Sequence, residues 1–395
     1  MIDLELSPSD QLVVDEARRQ GAFYRRHAPA FDHVLDHTRP TEELFHMPGA
    51  ADLPHVRDMA RDLAQRADDA SGTLIMDCLI TLEENWGLKP YYQIASTADF
   101  PEFFLPQKLI MATGSEEQIF RWADMSMSMA FAMTEPAGGS DPATMRTSAQ
   151  WDEATEEWVL NGEKTFISWA TGSPRLVVLA RAFGQGLDGA VTPFVVDRGH
   201  RGVTVSAQME KLGLKHWDTA SVFFDDCRLP DERRLRGSLR NALEVFNEAR
   251  GLNGAQALGY ARAALDITRD ELAAAGITID YGLTLAEQPA IVDRFIRLEE
   301  QYEAAWLTLM HAMWQKERGG PDQYPAIAKF ACAGAVRRIV RECIDLLGPE
   351  ATTDQTLLER LMRDSRVCDI LGGAGNVLRI FVARWLLGYK KNELN

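Results

Sequence analysis

The sequence predicts an α+β protein: an N-terminal helical domain over residues 1–128, a middle antiparallel β-barrel or sandwich over 129–233, and a C-terminal four-helix bundle over 234–395. Three observations predict it. Apolar residues recur at helical spacing at both ends of the chain, and the stretch between them breaks into short β-type runs separated by Gly, Pro and Asp clusters. The third is size: 395 residues, 46% hydrophobic and 25% charged, suffice for two or three domains at about 100 to 200 residues each.

The elements follow in order. Ser7-Pro8-Ser9-Asp10 has the form of a helix start, with a capping hydroxyl, a proline in the first turn and an acid three residues on. Leu74, Ile75, Cys78, Leu79 and Leu82 are spaced for one apolar helix face. Strands are expected at Glu157 to Ser168, Leu176 to Ala180, Thr192 to Asp197 and Ala220 to Phe224. After Leu229-Pro230 the helical period returns through Ala242, Phe246, Ala249, Leu252, Ala255 and Leu258. It continues through Ile291, Phe295, Leu298 and Tyr302, then Ile327, Phe330 and Ala333 to Leu347, then Val377 to Leu387.

Composition narrows the function. With 42 Lys and Arg against 58 Asp and Glu, the formal charge of -16 repels a phosphate backbone, which excludes nucleic acid as a partner. No window approaches the roughly 18 uninterrupted apolar residues of a membrane span. The start MIDLELSPSDQ has neither the basic nor the apolar stretch of a signal peptide, so a cytoplasmic protein is expected. Cys78, Cys227, Cys332, Cys343 and Cys368 are scattered, with no CxxC pair, and read as buried thiols rather than disulfides or zinc ligands.

Three motifs carry little. Gly184-Gln-Gly186-Leu-Asp-Gly189 matches GxGxxG, but the strand-like Val191 to Val196 follows where a dinucleotide site needs a helix, so a hairpin loop is expected. His33 and His37 are one helical turn apart with no third ligand nearby, and no metal is expected. Trp151, Trp158 and Trp169 flank β segments and read as packing.

The run Ala130 to Asp141 differs. A strand ends in Thr134; then Pro136 turns the chain, and Gly138 and Gly139, free of Cβ, let the backbone approach a flat ligand, with Ser140 offering a hydroxyl and a main-chain donor. Four further motifs accompany it in order. They are Gly114-Ser-Glu-Glu-Gln118, Leu160-Asn-Gly-Glu-Lys164 to Ile167-Ser168, Glu210-Lys-Leu-Gly213 with Asp218-Thr219, and Val222-Phe-Phe-Asp-Asp226 ending in Leu229-Pro230. Together they resemble the acyl-CoA dehydrogenase family of flavoproteins over residues 70 to 390.

The resemblance implies FAD as cofactor and an acyl-CoA, or a carrier-bound acyl group, as substrate. It further implies α,β-desaturation, an electron-transfer flavoprotein as acceptor, and a homo- or heteromeric dimer or tetramer. It implies that Phe131, Met133, Thr134, Gly139, Ser140, Phe166 and Ser168 lie at the flavin, with Gln288, Ala374 and Asn376 completing the cofactor set. Ser140, Phe246, Arg250 and Gly372 fall on the substrate side, Arg250 supplying a fixed charge toward CoA.

Two departures stand out. Arg363-Asp-Ser-Arg366 to Ile370-Leu-Gly-Gly-Ala374 aligns with the segment that carries the family's catalytic glutamate, and Gly372 takes its place. The backbone N–H there can still donate to the thioester oxygen; the base is lost. Glu248 and Asp99, beside Glu102, are the replacement candidates, although Glu248 is one residue, about 100° of helix, from the alternative base position at Ala249. A Gly372→Glu change is expected to restore activity if the backbone follows the family path. On the adenine side, Ile277 to Gly282 keeps the aromatic and Gln288 but no arginine, and Asp345-Leu-Leu-Gly348-Pro349 stands for Gln-x-x-Gly-Gly. The alternatives to desaturation are desulfinase-type β-elimination and a half-site subunit of a heteromer.

Overall fold

A computed structural model describes residues 6–37, 59, 73–89, 105–124, 127–215 and 217–389, without the side chains of 29–37, 73, 143 and 248. The elements in order are α1 (Pro8–His37), α2 (Thr73–Trp86), α3 (Leu105–Thr113), α4 (Glu116–Trp122), β1 (Met129–Ala132), β2 (Ser148–Asp152), β3 (Glu157–Ser168), β4 (Arg175–Gly184), β5 (Leu187–Asp197), β6 (Val203–Val205) and β7 (Thr219–Pro230). The helices α5 (Leu239–Ala274), α6 (Ala290–Glu317), α7 (Gln323–Leu347), α8 (Leu358–Ser365) and α9 (Gly375–Leu387) follow. They form two compact units: Met1–Pro90, Leu212–Leu214 and Arg250–Asn395 make one, Tyr91–Lys211 and Lys215–Ala249 the other. No helix among the described residues is long and apolar enough to cross a membrane.

The second unit is built on a mixed sheet in the order β1-β4-β2-β3-β7-β6, with β5 also on β4. The expected antiparallel arrangement holds for β2·β3, β3·β7, β4·β5 and β6·β7, but β1 and β2 both run parallel to β4. β1 lies along Arg175–Val178 and β2 along Arg181–Phe183, so the two follow one another along β4 in the same direction, and the Met133–Thr147 segment is a detour between them. Leu176, Val178 and Ala180 face one apolar cluster with Trp158, Phe194 and Val222, while Val177 and Leu179 face another with Leu109, Ile110 and Trp122. Buried on both faces, β4 has no polar alternation, which is why its sequence is a continuous apolar run. Gln185 (φ 50) and Gly186 (φ 77) make the tight β4–β5 turn, so the GxGxxG match is a hairpin of the primed type.

In the first unit the Ser7 hydroxyl caps α1, accepting the Asp10 N–H at 3.1 Å. Val13, Val14 and Ala17 of α1 pack on Met76 and Ile80 of α2. The buried Glu83 of α2 is paired by Arg18 of α1 and Arg262 of α5. Gly213 lies so close to the last turn of α8 that a Cβ would fall 2.2 Å from the Arg363 carbonyl oxygen, and the Leu214 N–H donates to the Asp364 carboxylate at 2.6 Å. Two of the matched motifs are therefore a packing contact. All five cysteines are buried, and none forms a disulfide. Burial pushes the Cys227, Cys343 and Cys368 thiols up to about 12, far from reactive thiolates.

Candidate functional site

In the second unit, the chain leaving β1 is pinned by an ion pair that the sequence reading did not single out. Lys164 of β3 is wholly buried; its ammonium donates to Glu135 at 2.8 Å and to the Met133 carbonyl at 3.1 Å. The Glu135 carboxylate also accepts the N–H groups of Arg146 (2.6 Å) and Thr147 (2.9 Å). Burial works to raise its pKa, but the hydrogen bonds from Lys164, Arg146 and Thr147 prevail and hold it below the ordinary carboxylate value. Thr165 N–H donates to the Thr134 carbonyl at 2.9 Å, and Gly138 N–H to that of Glu135 at 2.9 Å, closing the turn. A Cβ on Gly139 would press to 3.1 Å from the Thr134 side chain, which would have to give by a few tenths of an ångström, and the φ of 135 at Gly138 favours glycine there. Ser140 follows, exposed.

The facing part of β3 is bulged. Lys164 pairs with Val222 and Ile167 with Ala220, which leaves one extra residue on β3. Within the bulge Phe166 adopts φ 55 and is 67% exposed, while Thr165 and Ile167 are buried. A large aromatic held in the left-handed region and turned to solvent is unfavourable twice over, in backbone strain and in exposed apolar area. Ser168 ends the strand and accepts the Trp217 indole N–H at 2.9 Å, leaving its own hydroxyl proton to donate. Phe131 and Phe246 meet edge to face at 5.1 Å, so a predicted cofactor residue and a predicted substrate residue touch within this unit.

The first unit holds Arg250, Gln288, Gly372, Ala374 and Asn376. Arg250 donates from Nε to the Gly372 carbonyl at 3.3 Å and lies over the Phe381 ring at 5.8 Å. Burial pulls its pKa down to about 10. Gly372 and Gly373 have φ of 65 and 106. A Cβ on Gly372 would fall 2.2 Å from Nδ2 of Asn253, one turn after Arg250 on α5, so the amide fills the space in which a side chain at 372 would begin. The Gly372 N–H makes no hydrogen bond to another described residue. Ala374 caps α9, Asn376 accepts from Arg379 at 3.3 Å, and Gln288 donates to the Asp280 carbonyl within its own loop. Asp99, Glu102 and the side chains of Glu248, His33 and His37 lie outside the described residues. No group of three or more potential metal ligands occurs among the described residues.

The Gly372–Gly373 turn is itself held from below. The buried Lys329 of α7 donates to the carbonyls of Asp369 (2.9 Å) and Gly373 (2.8 Å), and burial lowers its pKa from 10.5 to about 8. Between those two values the unfolded chain binds the extra proton, so this lysine makes stability rise with pH over that window. The natural chain should therefore gain on the order of 2–3 kcal/mol relative to Lys329→Met between pH 8 and 10.5. Urea titrations of both proteins at pH 7.5, 9 and 10.5 measure it, and parallel curves would remove the buried charge from the account.

The comparisons with known proteins agree with this architecture. Residues 130–227 match the family model for the acyl-CoA dehydrogenase middle domain, and residues 239–387 that for its C-terminal domain. The mitochondrial short-chain specific acyl-CoA dehydrogenase of Sus scrofa is 30% identical over 287 residues, 70% of this chain and 68% of that protein. A probable acyl-CoA dehydrogenase of Mycobacterium tuberculosis is 30% identical over 265 residues, 65% of this chain and 66% of that one, so the chain spans about two thirds of the length of the curated relatives it matches. In structure it is similar to glutaryl-coenzyme A dehydrogenase in its glutaryl-CoA complex (TM-score 0.78, 22% identity, covering 99% of this chain and 98% of the other). It is similar as well to butyryl-CoA dehydrogenase from Megasphaera elsdenii (TM-score 0.75, 22% identity, 98% and 100% covered).

Proposed function

The chain belongs to the acyl-CoA dehydrogenase family, and from that premise we propose that it is an FAD-dependent oxidoreductase of acyl thioesters, desaturating at the α,β position with a base supplied from outside position 372. The observation that carries the reading is Phe166, exposed at φ 55 beside a loop pinned by Lys164 and Glu135, since a flat partner covering that ring removes its apolar exposure. The residues suit a flavin. Thr134, Ser140 and Ser168 offer hydroxyls toward one edge of a ring, and Gly138 and Gly139 keep side chains out of its way. Bound there, FAD supplies the hydride acceptor.

The chain's own part is orientation and charge. Arg250 takes the CoA portion and the Gly372 N–H the thioester oxygen, stabilising the negative charge that develops as the α-proton leaves. Glu248 and Asp99 remain the candidates to receive that proton, electrons pass on to an electron-transferring flavoprotein, and the chain works in the cytoplasm as a dimer or tetramer. The test is the FAD content and visible spectrum of the purified protein. A Thr134→Ala/Ser140→Ala/Ser168→Ala variant should lose flavin, each donor that the bound ring covers being worth about 1–3 kcal/mol; an unchanged spectrum and stoichiometry would defeat the assignment.

A second reading is favoured by Gly372 with Asn253 against it, a position without a base. In it the thioester is bound but not oxidised, either because the chemistry is a β-elimination of desulfinase type or because the chain is one half of a heteromer. Anaerobic addition of acyl-CoA separates the two readings: bleaching of the flavin band supports desaturation, and a charge-transfer band without bleaching supports the second.

A further inference from the structure

The pairing of Gly372 with Asn253 has the geometry of an exchange. A residue with a Cβ at 372 and the Asn253 amide cannot occupy the same space, the separation being 2.2 Å. Where a carboxylate is expected, the chain therefore presents a neutral amide from the neighbouring helix. That amide is half-buried and makes no hydrogen bond to another described residue, although it can donate two and accept two. Arg250, one turn earlier on α5, lies beside the same turn and is spent in part on the Gly372 carbonyl.

We propose that Asn253 is a specificity-determining residue that selects acyl thioesters whose acyl chain carries a hydrogen-bonding oxygen close to the thioester, as a hydroxyl or carbonyl. The inference rests on the reading above, in which the Gly372 N–H meets the thioester oxygen and the acyl chain begins beside it. A plain alkyl chain packed there strips water from the amide and returns nothing, which costs binding. An oxygen on the chain restores the lost hydrogen bond. The preference therefore comes from rejecting the unsubstituted chain as much as from attracting the substituted one.

The experiment is calorimetric titration of the natural protein and of Asn253→Leu with acyl-CoA pairs that differ only in a 3-hydroxyl, butyryl with 3-hydroxybutyryl-CoA and octanoyl with 3-hydroxyoctanoyl-CoA. Free CoA is run alongside. The natural protein should favour the hydroxylated member of a pair by about tenfold. Asn253→Leu, close in volume, should abolish or invert that preference while binding CoA as before, which also shows the variant folded. A preference that survives in Asn253→Leu, or none in the natural protein, overturns the inference and leaves the thioester reading standing. Failure of every thioester and of CoA to bind overturns both.

Discussion

Glu135→Ala is expected to destabilise the protein by about 3–5 kcal/mol, the usual result of removing one partner from a buried ion pair. Lys164 has no exposed surface, so without Glu135 its ammonium keeps only the Met133 carbonyl as an oxygen acceptor among its described contacts. The N–H groups of Arg146 and Thr147 lose their acceptor in the same step. The turn from Met133 to Ser140 then loses its anchor, so bound FAD should fall along with the urea midpoint. Replacing both members, Glu135→Leu with Lys164→Met, should recover much of the stability, because the cost lies in the stranded charge more than in the missing attraction. Tryptophan fluorescence through a urea series measures the single and double variants; a loss below 1 kcal/mol for Glu135→Ala would show that the pair does not hold the loop.

Gly372→Glu alone is expected to fail where a paired change succeeds. Its backbone has φ 65, a region in which a side chain costs roughly 1–2 kcal/mol, and its Cβ meets the Asn253 amide. The single variant should thus be destabilised, with no gain in anaerobic flavin reduction by acyl-CoA. Gly372→Glu with Asn253→Ala clears the space and supplies the carboxylate, and should raise the reduction rate by roughly 10²- to 10⁴-fold, the usual contribution of a positioned base. Equal rates for the double variant and the natural chain would mean that position 372 does not face the α-carbon. Fast reduction already in the natural chain would mean that a base exists elsewhere.

Much of the fold was legible because the long elements have a single period. The expected strand Glu157 to Ser168 matches β3 at both ends, and the apolar run Leu176 to Ala180 is the centre of β4. What the period could not carry was partnership: β1 and β2 lie along β4 through contacts that no local pattern encodes, and the three-residue β6 is too short to alternate. Lys164 shows a signal that was present but unread. Counting by twos from Trp158 and Leu160, both fully buried, brings Gly162 and then Lys164 to the core face, so a buried acid had to exist for it. The parity then breaks, since Ile167 is buried too, and that break is the bulge bearing Phe166. Asn253 gave no such warning, because only the folded chain brings it against Gly372.

The first unit is discontinuous in sequence, and this sets an order of events during synthesis. Its N-terminal helices emerge first but must wait: the Ala28 carbonyl receives the Arg360 guanidinium across 332 residues, and the Leu214 N–H reaches its acceptor Asp364 only across 150. The second unit, nearly contiguous from Tyr91 to Ala249, has all its strands available while the ribosome is still making α6. A nascent chain stalled before α8 should therefore carry a protease-resistant β unit and a more protease-sensitive α1, whose Ala28 carbonyl still lacks its Arg360 donor. Truncation at the C-terminus would for the same reason be felt first at the opposite end of the polypeptide.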